Sequence, residues 1–190
     1  MVSILRGLFA VVLVAMMSPA AVAQTPASAA VQVLTYFSPE EDLEAIDIGL
    51  LQQTGARSDI NLAGYVLSDY RVIDAISGAA ARGAWVRIYL DPGELRRLHL
   101  GPDHPLVRLS QSPNVEIRVK SAAGELMHLK GYTINGTVLR TGSANLSASG
   151  LKQQDNDLVL IYSIIAAHRF NEHFDAMWSR ADNTSFSAAQ

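Results

Sequence analysis

The stretch MHLKGYTINGTVLRTGSAN, residues 127–145, decides the fold prediction for this 190-residue chain. Its Asn135-Gly136 pair predicts a β-hairpin, because both residues tolerate the positive φ that a type I′ turn requires. Apolar and β-branched residues on each side of the turn predict two buried strands. His128 and Lys130 are costly side chains to place in such a strand, so they are candidates for chemistry.

A two-residue loop at this turn would fix which side chains meet across the hairpin. Lys130 would then face Thr141, and His128 would face Ser143, with Cβ atoms about 4.5–5.5 Å apart. Side chains two positions apart share a face of a strand, so all four would cluster at the open end, with Asn145 just beyond. An imidazole, an ammonium and neutral hydrogen-bonding groups, with no carboxylate among them, suit a phosphate oxyanion.

The rest of the chain alternates predicted strands and helices on both sides of this hairpin. We expect loops and one short helix from Glu94 to Pro113, where three prolines interrupt any long helix. The pattern predicts an α/β fold, in which a mixed sheet is sandwiched between helices. The predicted strands contain VQVLTYF, DINLAGYVL, AWVRIYLD, NVEIRVK and DLVLIY, and the predicted helices contain PEEDLEAIDIGLLQQ from Pro39, DYRVIDAISGAAARG and AAHRFNEHFDAMWSRA from Ala166.

The hairpin residues resemble the motif of the phospholipase D superfamily. That motif is His-x-Lys, four residues, Asp, six residues and Gly-Ser-x-Asn; here the matching positions are His128, Lys130, Asn135, Gly142, Ser143 and Asn145. Every spacing agrees, and only Asn135 replaces the usual Asp. Because this position begins the turn together with Gly136, Asn serves it as well as Asp does.

The resemblance extends over nearly all of the chain that follows residue 23, and it is to the small, secreted, single-motif nuclease-like branch. It implies that His128 attacks phosphorus to form a phosphohistidine. It also implies that Lys130 and Asn145 bind the phosphate, that Ser143 supports them, and that no metal or other cofactor takes part. A carboxylate that orients the histidine is expected near Asp155 or Asp157, and the sequence does not decide between these two.

The resemblance also implies a partner, since the mechanism uses two histidines and this chain carries one copy of the motif. We expect a homodimer with one shared active site at a two-fold interface. The nucleophile and the phosphate ligands of both subunits would then meet across the axis.

Three functions follow for such a site. The first is a metal-independent phosphodiesterase that acts as a non-specific endonuclease on DNA or RNA. The second is a lipid phosphodiesterase of the phospholipase D type, acting on phospholipids such as phosphatidylcholine; no basic amphipathic segment favours this alternative. The third is a catalytically weak phosphate-binding module, in which Asn135 marks the loss of activity.

The first residues predict export from the cytoplasm. Arg6, the apolar run 8–17 and the small residues Ala21-Val22-Ala23 are typical of a cleaved signal peptide over residues 1–23. Ten apolar residues fall short of the ~20 that a membrane-spanning helix needs. Residues 24–190 would then form a single phospholipase D-like catalytic domain, periplasmic or secreted and without stable insertion in a membrane.

Composition excludes several kinds of chemistry. The chain has no cysteine, which excludes disulfides, thiolate metal sites and thiol catalysis. Loss of Arg6 with the leader reduces 15 basic residues to 14 against 18 acidic ones, for a net charge of −4. This charge argues against a protein that coats nucleic acid by electrostatics alone, although a local basic cleft remains compatible with it.

Other side chains are weaker candidates for the site. Tyr65, at the end of the second predicted strand, could form part of its wall, and Arg96, Arg97 and Arg108 could form a phosphate-binding rim. His168 and His173 are five residues apart on the last predicted helix, so their side chains point about 140° apart and do not suit a shared metal ion.

Overall fold

The computed structural model describes residues 31–186, in which one eight-stranded sheet has the order β1-β7-β6-β5-β2-β3-β4-β8. The predicted signal peptide, residues 1–23, and the start of the predicted domain at residue 24 lie outside the described residues. The strands are β1 (Gln32–Ser38), β2 (Asp59–Gly64), β3 (Trp85–Leu90), β4 (Val115–Val119), β5 (Lys130–Ile134), β6 (Val138–Gly142), β7 (Asn156–Tyr162) and β8 (Thr184–Ser185). The helices are α1 (Leu43–Gln52), α2 (Tyr70–Ala81), α3 (Pro92–Leu95), α4 (Pro105–Ser110), α5 (Ala148–Lys152) and α6 (Ile164–Trp178).

Helices cover both faces of this mixed sheet, as the sequence predicts. The larger core lies on the α1 and α2 side and includes Leu62 and Ile88, both fully buried. The next residues along the same strands, Ala63 and Tyr89, face the other way and pack with Phe174 of α6. This alternation is the period of two that places successive strand side chains on opposite faces.

Local signals explain where the helices begin. The Asp42 side chain accepts a hydrogen bond from the Ala45 N–H at 3.0 Å, so α1 begins at Leu43 rather than at Pro39. Asp69 caps α2 in the same way through the Val72 N–H. The segment from Glu94 to Pro113 holds one complete short helix, α4, as predicted, and the last two residues of α3. Both helices have proline at their first position, where the missing N–H costs nothing. In the part of the chain that the structure describes, no helix is both long enough and apolar enough to cross a bilayer.

The hairpin turn forms as predicted, but its register differs by one residue. Asn135 and Gly136 have φ of 54° and 58°, and the Thr137 N–H donates to the Ile134 carbonyl at 3.1 Å. The ladder nevertheless pairs Ile134 with Val138, so Thr137 is an extra residue in the loop. The predicted pairs Lys130–Thr141 and His128–Ser143 are therefore wrong.

A buried ion pair explains this register. Tyr132 and Arg140 are paired across the hairpin, and both side chains bind the buried Asp47 of α1. A slip of one residue would turn Arg140 to the opposite face of the sheet and break the pair. With the observed register Lys130 lies opposite Gly142, and β5 begins at Lys130, so that His128 precedes the strand and is exposed.

Candidate active site

The predicted site residues gather at one edge of the sheet, which we call the site edge. Strands β1, β2, β3, β4 and β6 end there, and β5 and β7 begin there, because Gly64 pairs with Lys130 and Ser38 with Asn156. His128 and Lys130 lie at the start of β5, Ser143 directly follows β6, and Asp157 lies at the start of β7. In open α/β sheets, ligands bind at such an edge, beyond the carboxyl ends of the parallel strands.

His128 rests against an aromatic side chain from β2's C-terminal end. The rings of Tyr65 and His128 are 4.5 Å apart between centroids and tilted by 58°. The Tyr65 N–H donates to the Leu129 carbonyl at 2.7 Å, and the Tyr65 hydroxyl donates to Glu94 Oε1 at 2.9 Å. Tyr65 therefore forms a wall of the site, as the sequence suggests, and is itself held at both ends.

Lys130 shares this aromatic wall. Its ammonium lies 4.7 Å from the centroid of the Tyr65 ring and donates to the His128 carbonyl at 2.8 Å. Partial burial lowers the pKa of Lys130, because desolvation disfavours the charged form. An ammonium that is only partly solvated offers a strong electrostatic contact to a phosphate oxygen.

Ser143 is fixed by Asp157 through two reciprocal hydrogen bonds. The Ser143 N–H donates to Asp157 Oδ1, and the Asp157 N–H donates to Ser143 Oγ, both at 2.9 Å. Hydrogen bonding by the Ser143 hydroxyl and then by its backbone lowers the pKa of Asp157, so the carboxylate is favoured. Gly142 makes this approach feasible, since its φ is 136° and a Cβ would lie 2.4 Å from the Asp157 carbonyl oxygen.

The two candidate orienting carboxylates have different surroundings. Asp157 contacts the motif through Ser143, whereas Asp155 is exposed in the loop before β7. Both line a cavity of about 520 Å³ beside Ser143. Within residues 31–186, no hydrogen bond joins His128 to either carboxylate, so the orienting role stays a prediction.

Asn145 carries an amide oxygen that is buried without a hydrogen-bond partner among the described residues. Leaving such a group unpaired costs about 1–3 kcal/mol, so a native structure rarely keeps one without a reason. An amide oxygen accepts hydrogen bonds, so a phosphate cannot satisfy it; the predicted contact of Asn145 with phosphate would use its Nδ2–H groups instead. The amide belongs to the segment between β6 and α5.

A buried arginine, which the sequence analysis did not identify, joins the two parts of the motif. Arg140 Nε and Nη2 bind the two carboxylate oxygens of Asp47 at 3.0 and 2.9 Å. Its Nη1 donates to the Lys130 carbonyl at 3.1 Å and to the Ala144 carbonyl at 3.2 Å. Both side chains of the ion pair are 0% exposed. The guanidinium therefore ties the start of β5 to the segment that carries Ser143 and Asn145.

A second buried carboxylate holds the segment that precedes His128. Asp91 Oδ1 accepts the N–H groups of Gly93 and Glu94, and its Oδ2 accepts the Met127 N–H at 2.9 Å. Only 2% of Asp91 is exposed. The residue next to His128 is thus anchored to the end of β3.

The other candidates are placed less centrally. Arg97 pairs with Glu94 at 2.6 Å, and Arg108 lies 4.0 Å from Asp74 of α2, so neither is an unpaired phosphate ligand. His168 pairs with Glu172 at 3.4 Å on the surface of α6. Across residues 31–186, no three His, Asp or Glu side chains are grouped closely enough to hold a metal ion.

Comparison with known families agrees with this geometry. A family model described as "Cardiolipin synthase, PLD-like domain" matches residues 50–178, more than half of the chain. The chain belongs to the phospholipase D superfamily. The predicted resemblance is thereby confirmed, and the superfamily is one of phosphodiesterase enzymes. No curated protein matches the sequence.

Several solved structures have the same fold. Nuc from Salmonella typhimurium, a phospholipase D family member, is 19% identical, with a TM-score of 0.69 over 83% of this chain and 99% of its own. NucT from Helicobacter pylori is also 19% identical, with a TM-score of 0.69 over 83% of this chain and 100% of its own. Phosphatidylserine synthase from Haemophilus influenzae is 14% identical, with a TM-score of 0.60, over 82% of this chain and 40% of its own. These likenesses confirm the predicted α/β fold.

Proposed function

We propose that this protein is an exported phosphodiesterase that cleaves nucleic acid through a phosphohistidine intermediate, without a metal ion. The observation that carries the proposal is the site edge itself, where His128 and Lys130 share the Tyr65 wall and Arg140 ties them to the Ser143–Asn145 segment. Nuc and NucT, which match this chain over almost their whole lengths, support a nuclease.

In the proposed mechanism, the neutral imidazole of His128 attacks phosphorus while Lys130 and Asn145 hold the non-bridging oxygens. The ammonium of Lys130 stabilises the negative charge that develops in the transition state. A second histidine protonates the leaving oxygen, and water then cleaves the phosphorus–nitrogen bond and restores His128. Asp157 orients Ser143 and so fixes the end of the site opposite Lys130.

The second histidine comes from a second copy of the chain in this proposal. Exposed apolar side chains of the edge strand β1 support self-association: Val33 and Phe37 lie on one face of β1 and are 55% and 54% exposed. Phe37 lies at the site edge, where it pairs with Asp157, and Val33 lies towards the other end of the strand, near the exposed Ile164 and Ile165 of α6. Such a concentration of apolar surface is typical of an interaction surface. Phe37 also lines the cavity next to Ser143, so the apolar surface is continuous with the site.

The test of the activity uses the full chain, with a chelator, on plasmid DNA, RNA, phosphatidylcholine micelles and bis-(p-nitrophenyl) phosphate. We expect turnover of the nucleic acids and of the small diester, lost by more than 1000-fold in His128→Asn. His168→Asn, which changes an exposed histidine of α6, is the matched control and should retain full activity. No turnover of any substrate would contradict the proposal and favour a phosphate-binding module.

Lipid hydrolysis is the second candidate function. It is favoured by the description of the matching family model and by the fold shared with phosphatidylserine synthase. Turnover of the micelles without turnover of DNA or RNA would establish it in place of the nuclease.

The dimer has its own test. Light scattering should give twice the mass of one chain, and Phe37→Glu, at the site edge, should lower both the mass and the activity. Trp85→Glu is the control, because Trp85 is 65% exposed at the start of β3, away from the site edge. A monomer with full activity would contradict the shared site.

A further inference from the structure

A second cavity lies at the site edge on the β4 side of His128. Its volume is about 370 Å³, within the range of small-ligand sites. Lys120 and Arg180 line it together with His128, His173 and Met177, and Glu125 is its single acidic lining residue. We call this cavity the Lys120–Arg180 pocket. Because His128 is one of its walls, a chain bound in the pocket would continue directly into the site.

The cavity on the other side of the motif has the opposite charge. Glu40, Asp155 and Asp157 line the cavity beside Ser143, and no basic residue does. A polyanion that reaches His128 is therefore repelled on the β7 side and attracted on the β4 side. The site edge is acidic at one end and basic at the other, although the whole chain is mildly acidic.

The two cations of the pocket are available to a ligand. In the described part of the chain, neither Lys120 nor Arg180 takes part in a salt bridge. The Lys120 ammonium donates to the backbone carbonyl of Glu125, which leaves its charge without a counter-ion. Arg180 hydrogen-bonds the neutral Tyr89 hydroxyl, so its charge also has no carboxylate partner. A lysine and an arginine that face one cavity without a counter-ion suit a phosphate group.

The backbone at both cations is fixed by the fold. Lys120 directly follows β4, and its N–H donates to the Leu90 carbonyl at 3.0 Å. Arg180 follows α6, where Asn183 Nδ2 donates to the carbonyls of Met177 and Trp178 at 2.9 and 3.0 Å. The pocket is therefore present before substrate binds, so little ordering cost opposes binding.

We propose that the Lys120–Arg180 pocket binds a phosphate of the nucleic-acid strand next to the scissile one. The inference rests on the proposed nuclease function and adds a subsite to it: the enzyme acts best on substrates with at least two consecutive phosphates. A phosphatidylcholine headgroup, with one phosphate, gains nothing from this subsite, and neither does a small diester.

The test compares the double variant Lys120→Gln/Arg180→Gln with the charge-matched control Arg57→Gln/Arg169→Gln. Arg57 precedes β2 at the opposite edge of the sheet, and Arg169 lies on the exposed side of α6 with its side chain 81% exposed. The substrates are a 20-nucleotide single-stranded DNA and bis-(p-nitrophenyl) phosphate. All four positions are on the surface, and thermal melting of each variant verifies the fold.

We expect kcat/KM for the oligonucleotide to fall by about tenfold or more in the pocket variant, as loss of charge-assisted hydrogen bonds predicts. In the pocket variant, the slope of log(kcat/KM) for the oligonucleotide against log salt concentration should become less steep by about 0.7. This is the value for the loss of one phosphate contact on a single strand. Turnover of the small diester should stay within about twofold, and the control variant should match the wild type on both substrates.

Three results would overturn the inference, and they differ from failure of the proposed function. An equal loss on both substrates would assign Lys120 and Arg180 to the chemistry or the fold. No loss on either, or the same loss in the control variant, would remove the subsite while leaving the nuclease intact. A wild-type protein that hydrolyses the small diester or cardiolipin vesicles but no nucleic acid would overturn the nuclease function itself.

Discussion

Replacing Arg140 by methionine would remove a side chain that bonds to both parts of the motif. The substitution preserves much of the volume but leaves Asp47 buried, with the Tyr132 hydroxyl at 2.8 Å as its remaining side-chain donor within residues 31–186. Burial raises the pKa of Tyr132, so this hydroxyl stays a neutral donor. Breaking a buried ion pair by removal of one partner costs about 3–5 kcal/mol, and we expect that loss in the free energy of unfolding.

A triple variant separates the stability of the pair from its role in the site. Arg140→Met with Asp47→Leu and Tyr132→Phe replaces the whole cluster by apolar side chains, which often restores stability. The carbonyls of Lys130 and Ala144 still lose their donor, so a deficit of about 1–3 kcal/mol should remain. Activity should stay low, because the two parts of the motif are no longer tied.

The assay is urea unfolding, with turnover of bis-(p-nitrophenyl) phosphate measured where each variant is folded. Arg82→Met is the control: Arg82 also donates to two backbone carbonyls, those of Thr54 and Leu51 at 2.9 Å, but it pairs with no buried carboxylate. It should cost about 1–2 kcal/mol and leave turnover unchanged. A loss below 1 kcal/mol for Arg140→Met, or a fully active triple variant, would refute this role of Arg140.

Four further predictions concern the site edge. Tyr65→Leu should lower turnover about tenfold, because it removes the ring beside His128 and Lys130. Tyr65→Phe keeps the ring, and its turnover should stay within about threefold of wild type. Equal losses in the two variants would contradict a role for the ring. Burial lowers the pKa of Lys130, so activity at alkaline pH should be lost at a pH below the usual lysine pKa of 10.5. Lys130→Arg should move this loss of activity to higher pH, because a guanidinium stays protonated. Ser143→Ala should raise the pKa of Asp157 towards 3.8. The lowered pKa stabilises the fold above 3.8, so the stability gap to wild type, measured by urea unfolding, should be constant at neutral pH and should close as pH falls below 3.8 through the lowered pKa. Asn135→Asp should leave turnover within twofold, since either side chain can accept the Asp59 N–H at 3.1 Å, and a large gain would show that the usual Asp does more than shape the turn.

The sequence predicts those features that depend on local geometry or on spacing. The turn at Asn135-Gly136 follows from the φ values that these two residues tolerate, and its conformation is confirmed. The alternation of strand and helix patterns predicts the α/β sandwich, because the order of polar and apolar residues that identifies each strand or helix lies within that segment of the sequence. The motif residues were found from their spacing alone, which does not require knowledge of the hairpin register.

The register and the supports of the site depend on residues far apart in the chain. Arg140 and Asp47 are 93 positions apart, and their ion pair fixes which residues of the hairpin face each other. One signal was available: Leu43, Asp47 and Leu51 are spaced by four on α1 and all are buried, so Asp47 lies on the apolar stripe of its helix. A carboxylate in that position requires a buried partner, and Arg140 on a buried strand was the matching candidate.

Different strands hold the two parts of the motif in place, and Arg140 is bonded to both parts. His128 depends on β2 and β3, through the Tyr65 ring and the bond from Met127 to Asp91, whereas Ser143 depends on β7 through Asp157. A change in either support would therefore displace one group of the site and leave the other in place. Among the described residues, Arg140 donates to backbone carbonyls of both parts, so it sets the distance between the nucleophile side and the Ser143 side of the candidate site. Precise spacing of preorganised groups is what phosphoryl chemistry requires, and a fully buried guanidinium between two strands provides it more rigidly than a surface contact could.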